Sequence, residues 1–395
     1  MPALSTFEGN FLSRLWNDKD TRSLVVQVIA TLAFFAFFAY IIRNAYVNLE
    51  ALGKGFSYDF LFQTSAYDIN QHLIEYSSKS THFTAMWVGI LNTLLVAVCG
   101  IALSTVVGFI LGVLRLSKNW ITNRLAYMYI EFVRNVPVLL HILLVHGIIV
   151  NTLPVPKQAI NVGDGAFLTN RGFFVPKPIY EPAFWGVIAV FVAGIAFFAW
   201  FRGFAKREQD RTGAQYPVFW VGLGAIVGAP VLAFLALGAP IAWDVPSLQR
   251  FNFEGGMVVR PEFIALWLAL SLYTAAFIGE IVRAGIQAVN RGQTEAAYAL
   301  SISRGRTLTL VVIPQALRAI IPPLTSQYLN LAKNSSLAIA IGYMDIVATI
   351  GGISLNQTGR EMECMLIVLL LYLLLSLAIS AVMNWYNKRI KLVER

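Results

Sequence analysis

The chain of 395 residues is 57% hydrophobic but only 13% Asp, Glu, Lys and Arg, about half the ~25% charged share of an ordinary soluble domain. So few charges do not cover the surface of a water-soluble protein of this size, whereas a bilayer-embedded chain meets lipid with apolar residues. The net charge of +9 reads as basic residues at helix ends rather than as a nucleic-acid surface.

In chain order, stretches free of Asp, Glu, Lys and Arg run from Ser23 to Ile42, Ser80 to Leu114, Asn135 to Pro156, Pro182 to Phe201, Thr212 to Trp243, Phe263 to Gly279 and Cys364 to Asn387. An eighth, Ile320 to Met344, is interrupted only by Lys333. Each is about the ~20 residues a spanning helix needs. Lipid gives backbone N–H and C=O groups no partners, so the crossings are expected to be helices, and no strands of alternating polarity are visible. The expectation is an all-α membrane protein with eight transmembrane helices. The first stretch is longer and bulkier than a signal-peptide core and reads as a retained anchor. With both termini cytoplasmic, 19 Lys and Arg fall inside and nine outside, while Arg283 and Lys333 lie within the bilayer; that bias supports the orientation.

Catalytic and metal motifs are missing. No phosphate loop, nucleophile elbow, HExxH helix or Gly-x-Gly-x-x-Gly turn occurs, so catalytic residues, cofactors and metals are expected to be none. Cys99 and Cys364 fall inside spans, which offers neither a disulfide framework nor a zinc site. His141 and His146 are five apart, not one helical turn, and read as packing residues.

After the sixth span comes Arg291-Gly-Gln-Thr-Glu-Ala-Ala-Tyr-Ala-Leu-Ser-Ile-Ser-Arg-Gly-Arg-Thr307. Thr294 reads as an N-cap with Glu295 in the first turn. Ala296, Ala297 and Ala299 favour a short helix able to press its backbone on a partner. A turn at Ser303 to Gly305 is expected to stop it, Thr307 to cap a second helix, and Pro314 to bend the chain back to the membrane.

Glu295-Ala296-Ala297 followed by Val311-Val312-Ile313-Pro314 resembles the EAA loop of ABC-transporter permeases, with Ser301 at the usual Gly position. Tyr129-Ile-Glu-Phe-Val-Arg-Asn-Val-Pro137 and Tyr273 to Ile286 resemble segments of the permeases for polar amino acids, with Asn135 in place of Gly. The likeness covers about residues 84–153 and 262–390. An added anchor and an inserted pair of spans make the chain most similar to the larger permease subunit of the general L-amino acid transporters of Gram-negative bacteria.

The resemblance implies a type I ABC importer (MetI-like) permease core in the bacterial inner membrane. It divides the chain into an anchor and periplasmic loop (1–83), a first core part (84–153), the inserted pair with its periplasmic loops (154–261) and a second core part (262–395) containing the coupling loop at about 291–318. It implies as partners an ATPase dimer, a second, related permease, a periplasmic amino-acid-binding protein, membrane lipid and an L-amino acid substrate. The ATPase contact would be Glu295, Ala296, Ala297, Ser301, Arg304, Gly305 and Pro314. Charge inside a bilayer costs at least about 2.5–3.5 kcal/mol, so Glu280, Arg283 and Lys333 need partners or water. Glu280 and Arg283 are three apart and suited to neutralise each other. Lys333-Asn334-Ser335-Ser336 puts donors and acceptors for a zwitterion in the seventh span, or else makes an interhelical contact. Gly224-x-x-x-Gly228 permits a close helix contact. An ion-coupled secondary carrier is the alternative function, although it has no use for a docking loop.

Overall fold

The computed structural model describes residues 19–51, 53 and 55–390; Arg14, Lys54, Lys391 and Arg395, counted in the charge reading, lie outside them. The helices are α1 (Lys19–Ala51), α2 (His82–Leu114), α3 (Trp120–Asn135), α4 (Val138–Thr152), α5 (Phe184–Thr212), α6 (Val218–Leu223), α7 (Ala229–Ala236), α8 (Pro261–Gln287), α9 (Arg291–Ala299), α10 (Arg304–Thr307), α11 (Ile313–Asn334), α12 (Ile346–Ala348), α13 (Leu355–Thr358) and α14 (Glu361–Ile390). Among the described residues seven helical runs are long and apolar enough to cross a membrane, or eight if α3 and α4 count as one span. The expected third span is therefore a broken one: α3 and α4 meet at 107°, where Val136 and Pro137 are extended. Proline disfavours helical backbone in the residue before it, which accounts for the break.

The chain forms two compact units, whose boundaries fall inside α2 and inside α14. The first contains residues up to Leu91 with Asp345–Leu375. Its core is Phe60, Ile346, Ile350, Cys364 and Val368. The outer segment expected as a long loop is tied down here: the Ser57 amide donates to Glu363 Oε1 at 3.0 Å, and the Arg360 guanidinium donates to the Gly55 carbonyl. His82 Nδ1 and Ser354 Oγ share a hydrogen bond of 2.8 Å. Helix α1 has no buried residue.

In the second unit α8 is the central helix, with small residues such as Ala265, Ala269, Ala275, Ala276 and Gly279 fully or almost fully buried. Gly108 and Gly112 of α2 let the two backbones approach. A Cβ at Gly108 would lie 2.5 Å from Ile278, and one at Gly112 would lie 2.8 Å from the Gly279 carbonyl oxygen. This is the working small-xxx-small pair. Gly224 and Gly228, which the sequence suggested for that role, belong to a π turn, and a Cβ at Gly224 would meet nothing within 4 Å. In the inserted pair the close approach is made by Gly194 of α5 against the Ala225 carbonyl.

Strands are present after all, in the segments joining α4 to α5 and α7 to α8. They are β1 (Ile160–Gly163), β2 (Ala166–Thr169), β3 (Gly172–Val175), β4 (Lys177–Tyr180), β5 (Ile241–Asp244), β6 (Ser247–Gln249), β7 (Asn252–Glu254) and β8 (Met257–Val259). They form one sheet in the order β1-β2-β3-β8 and the pairs β4-β5 and β6-β7. At three or four residues each they are too short for alternation to show in the sequence. They also lie outside the spans, where sheet edges are tolerated.

Candidate functional site

The segment after α8 begins earlier than the sequence suggested. Asn290, not Thr294, is the N-cap: its side chain accepts from the Gly292 amide at 2.8 Å, which places Glu295 in the middle of α9. Asn caps better than Thr, and its position one turn upstream lengthens the helix. The helix also stops earlier, at Ser301 rather than at Ser303 to Gly305. The Ser301 amide donates to the Tyr298 carbonyl at 2.9 Å and the Ile302 amide to the Ala297 carbonyl at 3.1 Å, the double closure of a Schellman turn. Ser301 has φ +56°, so it stands in the left-handed position that glycine normally fills.

Ser303 is extended and opens α10, while Thr307 sits inside that helix, buried, with its hydroxyl on the Ser303 carbonyl at 3.1 Å. Pro314 does not bend the chain: residues Arg304–Ile341 form one helical span. A π turn over Leu308–Val312 lies immediately before it, and the extra residue in that turn accommodates the missing proline N–H. Gln315 of α11 donates to Gln293 of α9 at 3.3 Å, which ties the loop to the span.

Of the residues singled out, Glu295, Ala296, Ser301, Arg304 and Gly305 are exposed. Glu295 and Arg304 make no ion pair or side-chain hydrogen bond among the described residues. Ala297 is 3% exposed, so it packs the loop on its own chain. The sequence reading missed Leu300, which stands 75% exposed at the end of α9, because a lone Leu in a polar loop carries no pattern.

In the membrane-crossing helices Arg283 Nε donates to both Glu280 carboxylate oxygens at 3.0 Å, and Arg283 Nη1 reaches Gln287 at 2.5 Å. The two charges neutralise each other within one turn of α8. At the other polar cluster the helix tightens: α11 passes into a 3-10 segment over Ser335–Ile341. Ser335 Oγ donates to the Ala332 carbonyl and Ser336 Oγ to the Lys333 carbonyl, each at 2.8 Å. Lys333 is exposed, Asn334 and Ser336 half-buried and Ser335 buried. Three long-range polar contacts carry no signal in the sequence. Asn92 Nδ2 donates to the Met344 carbonyl at 2.9 Å, the Tyr343 hydroxyl to the Asn92 carbonyl at 3.0 Å, and Thr105 and Tyr328 share a hydroxyl bond of 2.8 Å. His141 packs edge-on against Tyr273, with ring centroids 5.7 Å apart. Among the described residues no three His, Cys, Asp or Glu side chains stand together in a way that holds a metal ion.

Residues 216–392 match the family described as "Binding-protein-dependent transport system inner membrane component". The chain is 48% identical to the glutamate/glutamine/aspartate/asparagine transport system permease protein BztB of Rhodobacter capsulatus, covering 98% of each chain. It is 45% identical to the general L-amino acid transport system permease protein AapQ of Rhizobium johnstonii, covering 98% of this chain and 96% of that one. It is also 45% identical to the putative amino-acid ABC transporter permease protein YhdX of Escherichia coli, covering 99% of each. None of these relatives is described as an ion-coupled carrier.

Proposed function

Since the chain belongs to the permease subunits of amino-acid ABC importers, we propose that it imports L-amino acids of broad specificity, acidic and amide side chains included, across the bacterial inner membrane with both termini cytoplasmic. The substrates named for the Rhodobacter and Rhizobium relatives support that range. In this reading a periplasmic binding protein delivers the amino acid, a second, related permease completes the pathway, and an ATPase dimer beneath the membrane drives it. The loop 291–318 is the ATPase contact, through Glu295, Ala296, Ser301, Arg304, Gly305 and Pro314, with buried Ala297 packing it on its own chain. One observation carries this assignment: Glu295 is exposed without an ion-pair partner among the described residues, on a helix whose opposite side is anchored by buried Ala297. An acidic side chain held that way is suited to charge-assisted bonds with a groove wall.

The polar cluster Lys333 to Ser336, together with Glu280 and Arg283, is our candidate for the substrate path. Its position supports it: Lys333 to Ser336 stand where α11 gives way to the 3-10 segment Ser335–Ile341 that ends the span, so their polar groups sit at a change of helical geometry. The test is uptake by proteoliposomes holding both permeases, the ATPase and the binding protein. Uptake of mixed labelled L-amino acids should require ATP, stop when the ATPase is omitted and persist with ion gradients collapsed. Uptake that follows an ion gradient without the ATPase would overturn the reading.

A further inference from the structure

The inserted helix pair contains a basic cavity with no part in the transport reading. Helix α5 is apolar and largely exposed as far as Phe201, then carries Arg202, Lys206, Arg207 and Arg211. Gly213, at φ +76°, ends the helix with its amide on the Gln209 carbonyl, and the chain returns through Tyr216 to Pro217, where α6 begins. The Tyr216 ring rests on Phe201 and Phe204, with centroids 6.1 and 5.8 Å away, which holds it over the end of α5. The fold-back forms an open cavity of about 450 Å³ lined chiefly by Arg202, Lys206, Gln209, Gln215 and Tyr216.

Among the described residues no carboxylate lines this space. The neighbouring cations are committed elsewhere: Arg207 Nε donates to the Gly203 carbonyl at 3.2 Å, and Arg211 pairs with Glu208 at 3.5 Å. Arg202 and Lys206 have neither a hydrogen bond nor an ion pair from their side chains among the described residues. Two unpaired cations with amide and phenol donors around one cavity form a cradle for phosphate oxygens. The source of the phosphate follows from the surroundings. Beside the cavity Phe197, Trp200, Phe219 and Trp220 stand exposed, on helices apolar enough to cross a membrane. Trp and Tyr beside Arg and Lys at the end of an apolar helix mark the lipid-water boundary.

We propose that this cavity binds the phosphodiester headgroup of an anionic phospholipid, whose acyl chains cover the aromatic faces of α5 and α6. Basic pockets between spanning helices are suited to such headgroups, and the positive-inside orientation would put this one in the cytoplasmic leaflet.

The test uses the full-length protein in detergent, titrated with phosphatidylglycerol, with phosphatidylcholine and with inorganic phosphate, the retained ligands being counted by native mass spectrometry. Phosphatidylglycerol should bind about tenfold or more tightly than phosphatidylcholine, and Arg202→Gln with Lys206→Gln should remove that preference. The charge-preserving pair Arg202→Lys with Lys206→Arg should keep it, as should Arg207→Gln with Arg211→Gln. An undiminished preference in the Gln pair at 202 and 206 would overturn the proposal, as would loss of the preference in either control pair. Displacement of the bound lipid by millimolar inorganic phosphate would assign the cavity to free phosphate and overturn the lipid assignment.

Discussion

The Ile302 amide donates to the Ala297 carbonyl across 3.1 Å, and the turn it closes holds Ser301 at φ +56°. A side chain in that backbone region costs roughly 1–2 kcal/mol. Ser301→Gly should relieve it and raise hydrogen-exchange protection at Ser301 and Ile302 about fivefold, whereas Ser301→Val should lower it. Equal protection in all three proteins would show that the turn is not strained.

Ala296 and Ala297 are neighbours with opposite expected phenotypes. Ala296 is exposed, so Ala296→Leu should leave thermal stability unchanged and weaken ATPase association. Ala297 is 3% exposed, so Ala297→Leu should overpack the loop and cost about 1–3 kcal/mol. Glu295→Lys should reduce ATP-driven uptake about tenfold or more while the permease remains in the membrane, since a charge-assisted bond is replaced by repulsion. Uptake and co-purification of the ATPase read these effects; unchanged values for Glu295→Lys would remove it from the contact.

Gly112→Ala should destabilise the packing of α2 on α8. The added Cβ would lie 2.8 Å from the Gly279 carbonyl oxygen, and a backbone atom cannot rotate away, so the helices must separate at a cost of about 1–3 kcal/mol. Gly224→Ala, where a Cβ meets nothing within 4 Å, should be neutral or slightly stabilising within a helix. Detergent melting temperatures of the two variants make the comparison.

Asp345 gives the fold a pH dependence. Its carboxylate accepts the Ala348 amide at 2.9 Å and the Tyr372 hydroxyl at 3.2 Å, yet burial pushes its pKa up to about 6. The folded state therefore holds the proton more firmly than the unfolded chain, where the carboxyl ionises near 4. Stability contributed by the protonated form is complete below about pH 4 and is lost as pH rises through about 6, of order 2–3 kcal/mol. Asp345→Asn keeps an N-cap acceptor without a charge, so melting of the variant relative to wild type should improve between pH 4.5 and pH 7. A constant difference across that range would show that Asp345 does not titrate there.

The spans were legible because lipid forbids charge, and a gap in Asp, Glu, Lys and Arg is easy to see. Uncharged polar residues do not register in that reading, which is why the bonds of Asn92, Thr105, Tyr328 and Tyr343 emerge only in three dimensions. The break at Pro137 does not register as a gap in charge, because proline is itself uncharged and stops the helix only through its ring. In the loop, composition identified a short helix beside Glu295. Its ends were misplaced because Thr294 and Asn290 are both acceptable caps, and only tertiary context selects between them. Turn propensity favours a stop at Ser303 to Gly305, whereas the helix ends at the left-handed Ser301, because closure of the turn depends on backbone hydrogen bonds that residue type alone does not reveal.

Phe173 to Val175 of β3 pairs with Met257 to Val259 of β8, and β4 pairs with β5 just inside. The chain therefore leaves and re-enters at one place, and the ladders hold the two ends of the segment containing α5, α6 and α7 side by side. Two apolar runs lie between the ladders, and an even number of crossings is what brings a chain back to the face it departed from, where the strands on either side can pair.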